Sequence, residues 1–236
     1  MRLKEFQRAG HGSRSMPRGS DIDHTATCAP VRYSASVTKR PHANLELIRR
    51  VLGNEYLELK IARLVVEEDP EGVHSKVAIF LADTDGNTTE VAGEGCGLVD
   101  ALWSGLLSRY SAEYQSLCSL EVAGFEVKAK LDTKKEKDGT DAVGEVTLEL
   151  RNSDQTRFSF SDASRSITTS TSRVVLAAIE YFINAERAFI TLFRSRQDAK
   201  ERNREDLVAR YTGELSEVVK STSYAEVLEN MKKELS

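Results

Sequence analysis

The fold is decided by the stretch VHSKVAIFLADTDGNTTEVAGEGCGLVDAL, residues 73–102. Apolar residues recur at every second position in its first part and at every third or fourth position in its last part. From Val73 to Leu81 alternate side chains are apolar except for Ser75, a spacing that predicts a β-strand with one face in the core. Asp83–Asn87 supply turn residues, so residues 88–92 are predicted to return as a short strand. The apolar positions then fall three and four apart, which predicts a helix: Val99, Leu102, Trp103, Leu106, Leu107 and Tyr110.

The same order of elements is found on both sides of this stretch. Upstream, apolar residues alternate over residues 57–61 and precede a turn at residues 69–72, which completes a meander of three strands. Downstream the pattern repeats at an offset of roughly 65 residues. We therefore predict an α+β fold of two pseudo-symmetric βββα units, with each sheet covered by a helix. The downstream elements are two alternating runs at 125–131 and 146–150, a short strand marked by Phe158 and Phe160, and a long helix from near Ser166.

Three segments of the chain differ in composition. Residues 1–43 are rich in Ser, Gly, Arg and Pro, which predicts a disordered basic tail, with an arm that docks on a partner or an anionic polymer as the alternative. Residues 44–192 hold the two units and a short entry helix that ends near Gly53. Residues 193–236 are charged, and their apolar stripes predict two amphipathic helices, which pack on the domain itself or bind a partner protein.

The overall composition excludes several classes of protein. The chain has 236 residues, 40% apolar content and a net charge of −4, and this acidic balance is not typical of a nucleic-acid-binding protein. No apolar run reaches the roughly 20 residues of a membrane-spanning helix, and no apolar signal region follows the basic N-terminus, so a cytoplasmic location is expected. Three cysteines without CxxC spacing predict reduced thiols rather than disulfides or a zinc site.

No arrangement of residues predicts catalysis, a metal site or a cofactor. The GEGCG segment at residues 93–97 opens a helix, but its spacing and the surrounding meander do not match a nucleotide-binding unit. Cys96 lies there without an evident base, and His74 is expected on the solvated face of its strand. The Ser/Thr-rich run at residues 161–172 lacks a His–Asp pair, so helix capping and exposure to a ligand pocket explain it better than nucleophilic catalysis.

The two predicted helix starts resemble those of a known family. The segment GCGLVDAL at residues 95–102 resembles the GxGPVDAL segment that opens the first helix of the C-terminal regulatory, or dimerisation, domain in 2-isopropylmalate synthase and citramalate synthase. The segment GTDAVGEV at residues 139–146 is similar to that family's GTDAxxxV strand entry. Residues 164–171, continued by residues 178–181, are similar to its second helix start.

The resemblance, which spans about residues 55–190, implies binding rather than catalysis. In that family the domain pairs two chains and holds a feedback amino acid, typically leucine or isoleucine, between the units near the dimer interface. A glycine loop ahead of a helix also exposes unpaired N–H groups that suit a carboxylate, while Asp100 either caps the helix or receives an ammonium. The chain departs from the family pattern at Leu98 and Ser166. Carried over to this sequence, the effector-binding residues are Gly95, Gly97, Val99, Asp100, Ser164, Ser166, Ile167 and Thr171.

Synthase activity is not expected from this chain alone. A catalytic barrel needs about 250 residues, and the four histidines form no HxH pair. We expect a non-catalytic regulatory and dimerisation module that binds a branched-chain amino acid or a similar effector, as a detached regulatory subunit of a catalytic synthase in leucine biosynthesis. The alternative is a ligand-free scaffold that binds a partner through its C-terminal helices, and RNA is a less favoured partner.

Exposed strand edges predict a homodimer, because pairing two three-stranded units leaves edges that a second copy can satisfy. The alternative is a monomer whose own tail or C-terminal helices cover those edges.

Overall fold

The computed structural model describes residues 38–39, 42–83, 86–130 and 143–221, which form two sheets and the helices that pack on them. The α+β class predicted from the sequence is confirmed. Along the chain the elements are β1 (Thr38–Lys39), α1 (His42–Leu52), a 3₁₀ turn (Gly53–Glu55), β2 (Lys60–Asp69), β3 (His74–Ala82), β4 (Thr88–Gly95), α2 (Leu98–Tyr110), a second 3₁₀ turn (Gln115–Ser119), β5 (Glu121–Lys130), β6 (Val143–Arg151), β7 (Arg157–Ser164), α3 (Ile167–Glu201) and α4 (Glu205–Ser221).

The chain contains the predicted duplication. β2, β3 and β4 form one antiparallel sheet followed by α2, and β5, β6 and β7 form another followed by α3. The second and third strands of both units pair in one register, because Ser75 opposite Gly95 corresponds to Gly144 opposite Ser164, 69 residues further on. The starts of α2 and α3 keep the same offset of 69 residues, from residue 98 to residue 167.

A β-bulge interrupts the first strand of each unit at the same place. It falls at Ala62 in β2 and at Ala123 in β5, 61 residues later. The extra residue shifts the alternation by one position, so that Ile61, Leu64 and Val66 all pack toward the core. The bulge therefore keeps the edge strand on the core although its sequence does not alternate strictly.

Two strands begin later than predicted. β2 begins at Lys60 rather than at Leu57, because the Leu57 N–H donates to a side chain on α3 instead of joining the ladder. β3 begins at His74 rather than at Val73, which lies in the turn with a φ of +48° and an exposed side chain. In both cases an apolar residue that extends the alternation lies outside the sheet.

Each sheet packs one face against its own helix. α2 lies on β3 and β4, α3 lies on β6 and β7, and the two helices touch, so that both units share one core. Phe158 on β7 meets Phe182 on α3 edge to face, with 5.1 Å between the ring centres. Burying side chains of this size contributes roughly 1.5–3 kcal/mol each. Other side chains buried in this core include Ile79, Leu81, Leu102, Leu106, Leu148, Leu150 and Ile179.

At the N-terminal side, four residues of the predicted tail, residues 1–43, belong to the fold: Thr38 and Lys39 form β1, and His42 and Ala43 begin α1. β1 pairs in parallel with β7, with Thr38 opposite Arg157, and extends the second sheet to the order β1-β7-β6-β5. The disorder expected for residues 1–37 concerns a segment outside the described residues, as does the charged loop at residues 131–142.

At the C-terminal side, α3 continues through residue 193, where a separate segment was predicted, and ends at Glu201. α4 packs against α1 and α3 through the buried side chains of Leu215 and Val218, so it follows the first of the two alternatives for this region. The second predicted amphipathic helix, residues 224–235, lies outside the described residues. Among the helices that the structure describes, none has the combination of length and apolar content needed to cross a membrane.

Candidate functional site

The glycines before α2 bring that helix against β4. A Cβ at Gly93 would collide with the carbonyl oxygen of Ala101, and one at Gly95 would lie 2.6 Å from the Asp100 carboxylate. On the helix side, a Cβ at Gly105 would lie 2.7 Å from a carbonyl oxygen of β4. The space left by the missing side chains at Gly93 and Gly95 is therefore filled by α2 itself rather than offered to a ligand.

Asp100 caps the loop in front of α2. Its Oδ2 accepts a hydrogen bond of 2.9 Å from the Cys96 N–H, which is the first of the two roles predicted for this residue. Gly97 is the N-cap residue, and a Cβ there would meet no atom within 4 Å. Val99 is half-buried against the core. Of the four predicted residues in this segment, Gly97 and the exposed Asp100 border open space.

Serine hydroxyls close the start of α3. Ser166 is the N-cap residue, and its Oγ accepts the Thr169 N–H at 3.2 Å. Ser164 Oγ accepts the Ser166 N–H at 3.2 Å and the Ser170 hydroxyl at 2.8 Å. Capping, one of the two explanations offered for the Ser/Thr-rich run, therefore occupies the hydroxyls of Ser164 and Ser166.

The remaining two predicted residues, Ile167 and Thr171, lie one turn apart on α3 and differ in burial. Thr171 is buried, and its Oγ1 has no hydrogen-bond partner within the described residues. Ile167 is 51% exposed and lies against Gly144 of β6. None of the eight predicted site residues lines either of the two spaces described next.

A cavity of about 270 Å³ lies between α1, β7 and α3. We call it the α1–β7 cavity. Its lining contains apolar side chains as well as charged and hydroxyl groups. The apolar residues are Leu45, Phe160, Val174, Ala177 and Tyr181, and the polar residues are Arg49, Tyr56, Ser159, Ser161, Asp162, Arg173 and Glu180.

The α1–β7 cavity lies where the second unit departs from the first. At the offset of 69 residues, Asp162 and Val174 take the positions of Gly93 and Gly105. A Cβ at Gly105 would lie only 3.0 Å from the Gly93 Cα, so these glycines set a very close helix–strand contact. Because Asp162 and Val174 carry side chains, α3 cannot approach β7 as closely as α2 approaches β4. The loss of both glycines thus accounts for the space.

One carboxylate oxygen in the cavity wall lacks a hydrogen bond. Asp162 Oδ2 is buried and has no hydrogen-bond partner among the described residues. Arg173 Nη1 lies 3.9 Å from it, close enough for an ion pair and too far for a hydrogen bond. A buried acceptor without a donor costs about 1–3 kcal/mol. A donor supplied by a bound molecule would remove that cost.

Glu180 places a second carboxylate in the same wall. Its Oε1 accepts the Tyr56 hydroxyl at 3.2 Å, and its Oε2 accepts the Leu59 N–H at 3.1 Å. Burial raises the pKa of Glu180 above the ordinary glutamate value, and these two hydrogen bonds oppose the shift without cancelling it. The Arg49 guanidinium lies 4.9 Å from the centre of the Tyr56 ring, which holds this cation over the cavity side of α1.

A second, wider space of about 550 Å³ lies between α3 and the edge strand β2, and we call it the α3–β2 groove. Arg173, Ala177 and Glu180 line both spaces, so one row of α3 separates the groove from the α1–β7 cavity. The cavity is the smaller of the two spaces. Its lining includes two arginines and two acidic residues, namely Arg49, Arg173, Asp162 and Glu180.

The groups that line the cavity match the chemistry of a zwitterion. Guanidinium groups bind carboxylates, carboxylates bind ammonium groups, and apolar side chains enclose a hydrocarbon chain. Within the described part of the chain, no cluster of three His, Cys, Asp or Glu side chains could hold a metal ion.

No model of a known protein family matches the sequence, and no curated protein matches it significantly. The resemblance to synthase regulatory domains therefore stays a prediction. The role of the α1–β7 cavity has to be inferred from its own chemistry.

The sequence contained a signal for this cavity that the predicted site did not use. Asp162 continues the alternation of Phe158 and Phe160 on β7, and so lies on the core-facing side of the strand. An acidic residue on an otherwise apolar face is expensive to bury, and it marks a position with a partner.

Proposed function

We propose that the chain is a non-catalytic regulatory module that binds a small α-amino acid with a branched aliphatic side chain in the α1–β7 cavity. The observation that carries the proposal is the buried Asp162 oxygen without a donor, opposite the Arg173 guanidinium in a cavity whose lining includes apolar side chains. The resemblance to synthase regulatory domains supports the same class of ligand. We further propose, on that resemblance alone, a cytoplasmic regulatory subunit for a catalytic synthase of leucine biosynthesis.

The chemistry of the ligand follows from the wall of the cavity. Arg173 would take the carboxylate and Asp162 the ammonium, because each is the charge partner of that group. The apolar residues would enclose the aliphatic chain, whose burial is worth roughly 1.5–3 kcal/mol. The cavity volume of about 270 Å³ lies just below the range of roughly 300–1,000 Å³ typical of drug-sized ligands. An amino acid suits that size.

The proposal is tested by titrating the full chain with leucine, isoleucine, valine and the keto acid of leucine, using calorimetry and thermal unfolding. Leucine should raise the unfolding temperature, because a ligand that binds only the folded state stabilises it. The keto acid should bind more weakly, because it has no ammonium for Asp162. If none of the amino acids binds, the proposal fails.

Two matched variants locate the site. Asp162→Asn removes one negative charge from the lining of the α1–β7 cavity, and Asp100→Asn removes one from the first turn of α2. Losing one charge-assisted hydrogen bond of about 1.5–3 kcal/mol should weaken leucine binding about 10- to 100-fold in Asp162→Asn, with Asp100→Asn close to wild type. The opposite result would place the ligand at the glycine loop and refute the cavity as the site.

The packing of α4 bears on the alternative function, a scaffold that binds a partner through its C-terminal helices. The apolar side chains Leu215 and Val218 are buried against the chain itself, so they are not offered to a partner protein.

A further inference from the structure

β5 ends its sheet and carries apolar side chains in the open. Val122, Phe125 and Val127 are exposed by 40%, 42% and 41%, and we call them the β5 stripe. They pair across to residues that are fully buried under α3, so the β5 stripe continues the face of the sheet that forms the core. An exposed row of apolar side chains at the free edge of a sheet is typical of a surface that pairs with another chain. The buried pairing partners are Leu150, Leu148 and Val146.

The corresponding side chains of the first unit are partly buried. Ile61, Leu64 and Val66 of β2 correspond to the β5 stripe at the offset of 61 residues, and all three pack against the core. Two of them, Ile61 and Leu64, also line the groove beside α3. The duplication therefore leaves the apolar side chains of β2 partly buried against the core and those of its counterpart β5 exposed.

The opposite face of β5 carries charges in an order that complements itself. Glu126 and Lys128 flank Val127, are both exposed, and lie 2.8 Å apart at the nearest Oε2 and Nζ atoms. In an antiparallel pair of identical strands centred on Val127, Glu126 of each copy stands opposite Lys128 of the other. A uniformly acidic or basic strand would instead meet a like charge at both positions. The sequence of this edge thus favours its own copy.

We propose that β5 is a self-docking edge, on which a second copy of the chain pairs its own β5 antiparallel about a twofold axis near Val127. The pairing joins the two sheets edge to edge, satisfies the free backbone groups of both strands and brings the two β5 stripes side by side. The homodimer expected from the sequence takes this form. The inference does not depend on the α1–β7 cavity or its ligand.

The test measures self-association of the full chain by sedimentation velocity over a concentration series. The wild type should sediment as a dimer. Val127→Glu should give a monomer, because it places two like charges at the twofold axis, whereas Val73→Glu, an exposed apolar position in a turn, should leave the dimer intact. Circular dichroism confirms that each variant is folded.

A charge exchange separates strand pairing from a general apolar contact. Glu126→Lys and Lys128→Glu should each weaken the dimer about tenfold or more, because each creates two like-charge pairs per dimer. The double variant that carries both changes should return to the wild-type dissociation constant. A monomeric wild type, an unaffected Val127→Glu dimer or a double variant that does not recover would each overturn the proposal.

Discussion

Asn184 and Leu57 exchange two hydrogen bonds, although they lie 127 positions apart in the sequence. The Leu57 N–H donates to Asn184 Oδ1 and the Asn184 Nδ2 donates to the Leu57 carbonyl, each over 2.8 Å. The buried side-chain amide thus acts as a one-residue strand partner for the connection between α1 and β2. This connection contains Tyr56, which lines the α1–β7 cavity. Asn184 therefore holds one part of the lining of the proposed site in place.

Replacing Asn184 with Ala should destabilise the fold by about 2–4 kcal/mol, because it leaves both backbone groups of Leu57 without partners in a poorly solvated position. Chemical denaturation measures the change in the free energy of unfolding. Asn54→Ala, in the exposed turn after α1, is the control and should cost less than about 0.5 kcal/mol. Equal stability of the two variants would show that the connection does not need the amide.

Gly93→Ala should cost about 3 kcal/mol or more, because the new Cβ meets the backbone of α2 and neither element can yield without losing core contacts. Gly97→Ala is the matched control four residues later, where a Cβ meets nothing within 4 Å, and should cost less than about 1 kcal/mol. Thermal and urea unfolding compare the two. If Gly93→Ala were tolerated as well as Gly97→Ala, the tight packing of α2 on β4 would not constrain this position.

The duplication could be predicted from the sequence because each strand and helix has its own short-range spacing of apolar residues. Alternation in β3 and in β6, and the three-and-four spacing in α2, need only neighbouring residues. The expected offset of roughly 65 residues lies between the observed offsets of 61 for the first strands and 69 for the rest. The difference arises from the longer connection between β5 and β6.

The cavity could not be predicted in the same way, because its wall is assembled from distant segments. Arg49, Asp162 and Arg173 come from α1, β7 and α3, and no local pattern brings them together. The role of the glycine loop, residues 93–97, could not be determined from the sequence for a related physical reason. A glycine permits close approach but does not say by what, and at Gly93 and Gly95 the approaching atoms belong to α2.

Glu186 should make the stability of the fold depend on pH. It is buried on α3, and its Oε2 accepts the Ser116 N–H at 3.1 Å. Burial raises its pKa above the ordinary value despite this bond. A raised pKa in the folded state means that the residue's contribution to stability is fully present below the unfolded-state pKa and is lost as the pH rises through the folded-state pKa.

Glu186→Gln removes that titration while keeping an acceptor for Ser116. The free energy of unfolding of the wild type minus that of Glu186→Gln should therefore decrease between acidic pH, below the ordinary glutamate pKa, and neutral pH. Denaturation curves at several pH values measure this difference. A difference that is constant or grows with pH would contradict the assigned shift.

Thr171→Val tests whether the start of α3 holds a ligand. Thr171 takes the position of the buried Leu102 at the offset of 69 residues, and its buried hydroxyl has no hydrogen-bond partner within the described residues. Removing an unsatisfied hydroxyl should leave the free energy of unfolding unchanged or raise it by up to about 1 kcal/mol. Leucine titration should also match the wild type, because Thr171 does not line the α1–β7 cavity. A Thr171→Val variant that unfolds more easily, or that no longer responds to leucine, would show that the hydroxyl has a partner and would move the effector site back to the helix start.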